Sequence, residues 1–281
     1  MDKKDIRKYQ LAQLELLYET DKICKDLGIV YYLIAGTLLG AVRHGGFIPW
    51  DADIDIAMRR KDYELFRKYW EDKEESPYFY EHYSTEPNHW GPHAILRKKD
   101  THIIYKTRGK GKYKTKYDGI YLDIFPLDEA PVDLDKQAKQ AKKIKRIYCI
   151  NRYKLANVYE DNISPIKLFA KKVVQFILSP FSFKFLNSKM DKIMQEYNGN
   201  GSNLLVSMAS HYAYSKQCMN EDIYGEPKQM LFEGEMRYVP AKTQEYLKSL
   251  YGDYMKLPPE DKRYGELDSI ERIIYGGRID G

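Results

Sequence analysis

The chain has few cysteines, no long apolar run and little excess charge, and each shortage excludes a class of protein. Its three cysteines, Cys24, Cys149 and Cys218, lack paired spacing, which argues against a disulfide framework and a cysteine-based zinc site. No apolar run approaches the roughly 20 residues of a membrane span. A net charge of +5 over 281 residues is too small to predict nucleic acid as a partner. Because the charged segment Met1–Lys8 is unlike a signal peptide, we expect a cytoplasmic protein.

What the chain does have is a polar segment that ends in three aspartates at every second position. In an extended strand Asp51, Asp53 and Asp55 would share one face, while Ile54 and Ile56 would face the core. Carboxylates so close together repel each other, and a hard divalent cation is the usual compensation. The segment therefore predicts a site for Mg²⁺ or Mn²⁺ on an acidic strand.

Two candidate turns lie just before the aspartates. Gly36-Thr37 is one, and Arg43-His44 with the two glycines that follow is the other. Backbone N–H groups in such turns can meet a phosphate. Arg43 can grip a phosphate with two N–H groups or pair with a carboxylate of the acidic strand, and its position favours the phosphate. His44 either donates to the phosphate or only shapes the turn.

A second acidic strand is predicted over residues 119–128. Asp123 has apolar neighbours on both sides, and an isolated ionised carboxylate is costly to bury. Sharing a metal with Asp53 and Asp55, or acting as a general base, would explain it. The alternative is that Asp123 caps a turn before Pro126. Asp128 is predicted to be a helix or turn cap.

The hydrophobic pattern predicts an α/β chain in which strand ends carry the candidate residues. Predicted helices cover residues 5–27, 60–72, 133–157, 164–197 and 241–254, with a short helix that ends near residue 42. Predicted strands cover 29–35, the aspartate segment, parts of 93–105, and 119–125. We predict a catalytic core over residues 1–132 and a mainly helical region over 133–281 that packs on it.

A basic loop with two glycines lies between the last two predicted strands, over residues 106–116. It is either a solvated hairpin loop or a mobile lid whose cations meet a diphosphate. Arg108, Lys110 and Lys112 are its candidate substrate contacts.

Residues 166–186 mix lysines with large apolar side chains. The first interpretation is a core-facing helix with a solvated basic edge. The alternative is an interfacial helix in peripheral contact with an anionic inner membrane leaflet. Pro180 would end or kink such a helix.

The run from Gly36 to His44, followed by Gly46 to Asp55, resembles the LicD family of phosphocholine transferases, whose core fukutin and fukutin-related protein share. The later runs Leu122–Asp128 and Leu250–Pro259 match LicD patterns too. The resemblance implies an α/β (α+β) fold with a nucleotidyltransferase-like mixed sheet core, flanking helices and a helical C-terminal half.

Family members have a glycine turn followed by an Asp-x-Asp strand, and each part has a counterpart here. The resemblance puts Gly36-Thr37 in the place of the turn. It assigns the metal-binding pair to Asp53 and Asp55, with Asp123 as the third carboxylate. This chain departs from the usual Trp-Asp-Asp-Asp-Ile-Asp run at its second aspartate, which is alanine here. By alternation that side chain points away from the metal face.

The resemblance also implies an activity: transfer of phosphocholine from CDP-choline to a hydroxyl of a cell-surface glycan, with release of CMP. The acceptor would be a teichoic acid, lipopolysaccharide or capsule precursor, free or lipid-linked. Alternatives are another CDP-alcohol donor, such as CDP-ribitol or CDP-glycerol, a plain nucleotidyltransferase, and a non-catalytic glycan-binding protein. The intact Asp53, Asp55 and Asp123 argue against the last.

Aromatic side chains are the expected contacts of a choline group, because a trimethylammonium ion binds ring faces rather than hydrogen-bond donors. Trp90, Tyr117 and Tyr121 are the candidates. Trp50 and Asp51, at the start of the acidic strand, are expected substrate contacts.

Overall fold

A computed structural model describes residues 3–73, 75–106, 115–155, 164–265 and 267–276. The chain folds as a mixed α/β structure, as predicted. The first half contains α1 (Lys3–Leu27), β1 (Tyr31–Leu33), α2 (Ala35–His44), β2 (Asp55–Arg59), α3 (Arg60–Glu71), β3 (Tyr78–Glu81), β4 (Ala94–Lys98), β5 (Thr101–Tyr105) and β6 (Tyr121–Glu129). The second half contains α4 (Leu134–Leu155), α5 (Pro165–Leu178), α6 (Phe183–Met194), β7 (Leu204–Val206), α7 (Tyr214–Gln217), β8 (Met219–Asn220), α8 (Glu221–Tyr224), β9 (Lys228–Phe232), β10 (Glu235–Val239), α9 (Thr243–Tyr251) and β11 (Ile270–Tyr275).

The main sheet has seven strands and puts the two acidic strands side by side. Its order is β1-β2-β6-β4-β3, and β7 and β8 extend it from β6. β2 and β6 are parallel, whereas the other pairs in this sheet are antiparallel. In the parallel pair Asp55 lies opposite Asp123. Ile54 and Ile56 are fully buried in the core, as the alternation predicts.

The acidic segment is less regular than predicted, because β2 begins only at Asp55 and residues 51–54 have no regular structure. β6 begins at Tyr121 and continues beyond the strand predicted over 119–125, through Pro126 to Glu129. Pro126 fits there since β4 pairs with β6 only up to Ile124 and β7 pairs only from Asp128. The missing N–H of Pro126 therefore removes no hydrogen bond between β6 and either β4 or β7.

Asp128 is not a cap, so that prediction is wrong. It is buried in β6 and accepts two hydrogen bonds from the Arg60 guanidinium, at 2.8 and 2.5 Å. Arg60, at the start of α3, also donates to Asp191 of α6 at 2.8 Å. One guanidinium thus ties the sheet to the helices that follow it.

The helix predicted over residues 164–197 is divided at Pro180 into α5 and α6, because proline cannot continue a helix. Residues after 133 also supply strands: β7 pairs with β6, and β11 pairs with β5. The boundary at residue 132 stays a prediction. In the part of the chain that the structure describes, no helix is both long enough and apolar enough to span a bilayer.

Candidate active site

Three carboxylates converge where β2 and β6 begin. Oxygen atoms of Asp53, Asp55 and Asp123 all lie within 4.8 Å of one another. The parallel register brings Asp55 and Asp123 together, and Asp53 precedes β2 by two residues. Carboxylate oxygens are the ligands that Mg²⁺ and Mn²⁺ prefer, so this donor set fits the predicted ion.

The carboxylates open into a cavity of about 680 Å³. Asp51, Asp53, Asp55 and Asp123 line it, and so do residues from both halves of the chain. The later half contributes lining residues from segments 209–212 and 251–259. The three carboxylates are therefore enclosed by residues from both halves of the chain and not by the acidic segment alone.

The predicted Gly36-Thr37 turn is the first turn of α2 instead. Ala35 starts the helix with φ of +46°, a left-handed conformation that is strained for a residue other than glycine. At Gly36, an added Cβ would lie 2.9 Å from a carboxylate oxygen of Asp51, so a larger residue would have to displace that carboxylate. Ala35 and Gly36 line the cavity, and a helix N-terminus favours anions.

Thr37 lies behind the wall of the cavity. Its side chain is buried, and its Oγ1 accepts a hydrogen bond from the backbone N–H of Asp55 at 2.8 Å. Its position supports Asp55 and does not reach a ligand in the cavity.

Arg43 lines the cavity at the other end of α2, and its Nη1 donates to the carbonyl of Tyr254 at 3.1 Å. Burial lowers the pKa of Arg43, and Arg263 lowers it further, whereas Asp51 acts in the opposite direction. The guanidinium is thus close enough to act on an anion in the cavity.

His44 is not among the residues that line the cavity. Its ring lies edge-on to Trp50, with centroids 6.2 Å apart, and burial lowers its pKa. Trp50 itself lines the cavity. Of the two alternatives for His44, shaping the turn agrees with this position.

Of the three aromatic residues predicted to contact choline, one lines the cavity and two do not. Trp90 lines the cavity, with its ring centroid 5.9 Å from that of Tyr148 on α4, which lines it too. Tyr117 packs against Phe79 instead, at 4.9 Å, and neither Tyr117 nor Tyr121 lines the cavity. The periodicity of α4 does not distinguish Tyr148 from a packed core tyrosine, so sequence reasoning missed it.

His93 also lines the cavity, although no local motif distinguishes it from the other histidines. Its Nε2 is 3.3 Å from Oδ1 of Asp123, and its ring stacks on Phe125 at 4.6 Å. This contact arises because β4 starts at the next residue and pairs with β6. The contact between His93 and Asp123 can be inferred only from the order of the strands in the sheet.

Buried hydrogen bonds hold the loop that contains Trp90 and His93. Glu81 is buried between His89, whose Nδ1 is 2.9 Å from its carboxylate, and Arg97, whose Nε donates to it. Burial alone would raise the pKa of Glu81, but Arg97 and His89 outweigh it and lower the pKa to about 2. Asn187 of α6 donates to the His89 carbonyl at 2.7 Å.

A second cavity of about 440 Å³ adjoins the first. The two share Pro92, Tyr148 and residues 209–212. Lys145 and Arg152 of α4 line only the second cavity, which makes that side basic.

The basic loop predicted to close over a diphosphate remains a prediction. Arg108, Lys110 and Lys112 lie outside the described residues.

Comparison with known proteins agrees with the geometry. Residues 28–149 match the family described as "LicD/FKTN/FKRP, nucleotidyltransferase domain". The chain is 29% identical over 271 residues to the lipopolysaccharide cholinephosphotransferase LicD of Haemophilus influenzae, which covers 93% of this chain and 95% of that protein. A 40-residue stretch is 45% identical to human ribitol 5-phosphate transferase FKRP, and a 50-residue stretch is 42% identical to mouse ribitol-5-phosphate transferase FKTN. These stretches cover 14% and 18% of this chain, and 8% and 11% of those proteins.

These matches confirm the resemblance inferred from the sequence motifs, and with it the prediction of an enzyme of the phosphotransferase class. The match to residues 28–149 includes Asp53, Asp55, Asp123 and the whole of α2. The short stretches and the long match differ in the alcohol that the relatives' names give, choline or ribitol.

Proposed function

Because residues 28–149 match the LicD/FKTN/FKRP family and nearly the whole chain aligns with a lipopolysaccharide cholinephosphotransferase, we propose that this chain transfers phosphocholine from CDP-choline to a hydroxyl of a cell-surface glycan and releases CMP. The observation that carries the proposal is the convergence of three carboxylates, the start of α2 and Arg43 in one cavity. That set can bind a diphosphate and a cation together, which a glycan-binding protein does not need.

Each part of the cavity has a role in this reaction. The first N–H groups of α2 and the Arg43 guanidinium bind non-bridging phosphate oxygens. Asp53 and Asp55, with Asp123 as the candidate third ligand, would hold Mg²⁺ or Mn²⁺, which would supply charge neutralisation for the diphosphate and the departing CMP. The acceptor oxygen attacks the phosphorus that bears choline and forms a new P–O bond. The P–O bond to CMP breaks, and Asp123 takes the hydroxyl proton in the alternative in which Asp53 and Asp55 alone hold the cation.

Choline is the favoured alcohol because the aromatic residues Trp90 and Tyr148 both line the cavity, with their ring centroids 5.9 Å apart. A trimethylammonium ion gains from such faces, whereas a polyol needs hydrogen-bonding groups. Ribitol is the second candidate, since the FKRP and FKTN relatives carry it in their names.

The acceptor would enter from the second cavity, which shares a wall with the first. Its two cations, Lys145 and Arg152, suit an acceptor that carries a phosphate or an acidic sugar near the reacting hydroxyl.

The activity is tested by incubating the purified chain with CDP-choline, CDP-ribitol or CDP-glycerol, Mg²⁺ and an extracted glycan precursor. Mass spectrometry is expected to show phosphocholine on the glycan and an equal amount of CMP. Turnover only with CDP-ribitol or CDP-glycerol would overturn the choice of donor and leave the transferase intact. A nucleotidyltransferase would instead release pyrophosphate from CTP.

The metal role is tested with Asp53→Asn and Asp55→Asn. Each change is expected to lower kcat by about 1,000-fold or more, as loss of a preorganised charged group does. The melting temperature in EDTA should hold or rise, because one source of carboxylate repulsion is gone. Asp26→Asn, an exposed aspartate on α1, is the matched control and should change neither quantity. Undiminished wild-type turnover in excess EDTA would contradict the metal site.

A further inference from the structure

α5 and the start of α6 leave a row of large apolar side chains in solvent. Ile166 is 82% exposed, Phe169 70% and Phe176 80%. Four more side chains continue the row at 38 to 61% exposure, and Phe181 and Phe185 contact each other with ring centroids 6.1 Å apart. We name this row the α5 apolar face; its members are Ile166, Phe169, Val173, Phe176, Ile177, Phe181 and Phe185.

This face is not the side by which α5 packs on the protein. At about 100° per residue, the five α5 members of the face fall within an arc of about 100°, and Val174, 40% exposed, extends the apolar arc to about 160° on the side of Ile177. The opposite side contains Leu168, Gln175 and Leu178, which are partly buried. α5 therefore already has an inward side, and the apolar face is a second one.

Cations border the face. Lys167 and Lys172 lie on its two edges, both exposed, and Lys184 is exposed beside Phe185. The sequence has no aspartate or glutamate between Ser164 and Met190. Such an apolar stripe with lysines at its borders is typical of helices that lie in a membrane interface.

We propose that the α5 apolar face docks on a lipid bilayer with anionic headgroups, with α5 lying in the plane of the interface. A second copy of the chain is a poorer occupant, because a two-fold contact through this face would bring the lysines of both copies together. The described helices include none that could cross a bilayer, which agrees with a surface contact.

α4 joins this face to the active site. Lys154 Nζ donates to the Leu178 carbonyl at the end of α5, at 2.9 Å. Tyr148, which lines the main cavity, precedes Lys154 on the same helix by a rise of about 9 Å. Docking would thus hold the cavity close to the bilayer. If the proposed function is right, this arrangement suits a glycan acceptor that is anchored in lipid.

Vesicle co-sedimentation of the full chain tests the docking. Vesicles of phosphatidylcholine with phosphatidylglycerol are expected to bind it, and vesicles of phosphatidylcholine alone to bind it weakly. Combining Lys167→Gln, Lys172→Gln and Lys184→Gln should weaken binding about 100-fold at low salt, since each cation near an anionic surface contributes about fivefold. Raising the salt concentration should narrow that difference.

The apolar contribution is tested with Phe169→Ser and Phe176→Ser combined, which should abolish binding with no change in the circular dichroism spectrum. The matched control combines Leu231→Ser and Met236→Ser, two half-exposed apolar residues of the β9–β10 hairpin, and should bind as the wild type does. Equal loss in the control, or no binding of the wild type to anionic vesicles, would overturn the proposal.

Ultracentrifugation addresses the other occupant: a wild-type dimer that the two serines dissociate would also overturn the proposal. CMP release without lipid separates the two hypotheses. If release persists while vesicle binding is absent, docking fails and the proposed function stands. Vesicle binding without any transfer activity would leave docking standing and defeat the proposed function.

Discussion

Trp90 and Tyr148 reach the main cavity from a loop and a helix that are distant in sequence. We expect Trp90→Leu and Tyr148→Leu each to raise the KM for CDP-choline about tenfold, because a desolvated cation–π contact contributes about 1–2 kcal/mol. The KM for CDP-ribitol should change little. Tyr117→Leu is the control, since that ring packs on Phe79 outside the cavity. Equal losses with both donors would mean that the rings only support the wall.

Glu81 makes the stability of the anchored loop depend on pH. Its pKa in the folded chain is about 2, below the value of about 4.3 that an unfolded glutamate has. The ionised form therefore stabilises the fold above pH 4.3, by roughly 3 kcal/mol, and this contribution disappears as the pH falls towards 2.

Urea unfolding at several pH values below 4.5 measures this effect. The free energy of unfolding should fall less steeply with decreasing pH in Glu81→Gln than in the wild type. Glu245→Gln, at an exposed position on α9, should keep the wild-type slope. Equal slopes for all three proteins would show that Glu81 does not control this pH range.

At the scale of elements, α4 has two functions: it lines both cavities through Tyr148 and makes the second one basic. Lys145→Gln and Arg152→Gln together should raise the KM for an anionic glycan acceptor about tenfold or more, because hydrogen bonds to charged groups contribute about 1.5–3 kcal/mol each. The KM for the donor should not change. Lys139→Gln with Lys142→Gln, on the same helix but outside both cavities, is the control. A change confined to the donor KM would place the acceptor elsewhere.

At the scale of the whole molecule, Arg60 connects β6 with α3 and α6. Arg60→Ala would leave Asp128, 1% exposed, without its cation, and we expect a loss of about 3–5 kcal/mol in the free energy of unfolding. Arg67→Ala removes a guanidinium of the same helix whose partners, Glu64 and Glu71, are nearer the surface, and should cost about 1 kcal/mol or less. Urea denaturation compares the two, and similar losses would contradict the role of Arg60.

Local sequence patterns predicted most helices and strands. The contacts that they did not predict depend on pairing between strands that are distant in sequence. Leu27 and Gly28 end α1 as predicted because apolar spacing and a left-handed glycine are properties of adjacent residues. The contact of His93 with Asp123 depends on β4 lying beside β6, which no local pattern specifies. Asp128 was misassigned for a related reason: proline usually ends a strand, but here the neighbouring strands leave a gap for it.

The parallel register of β2 and β6 has a consequence for how the site comes into being. Parallel strands cannot be joined by a tight hairpin, so Asp55 meets Asp123 only after the intervening chain has folded. Contacts between residues far apart in sequence form slowly, because loop closure comes first. On the ribosome, the carboxylates can assemble once β6 has emerged. The cavity is complete only after residues 251–259, which line it, have also been synthesised and folded. A nascent chain would therefore gain its affinity for cations well before it could hold a donor.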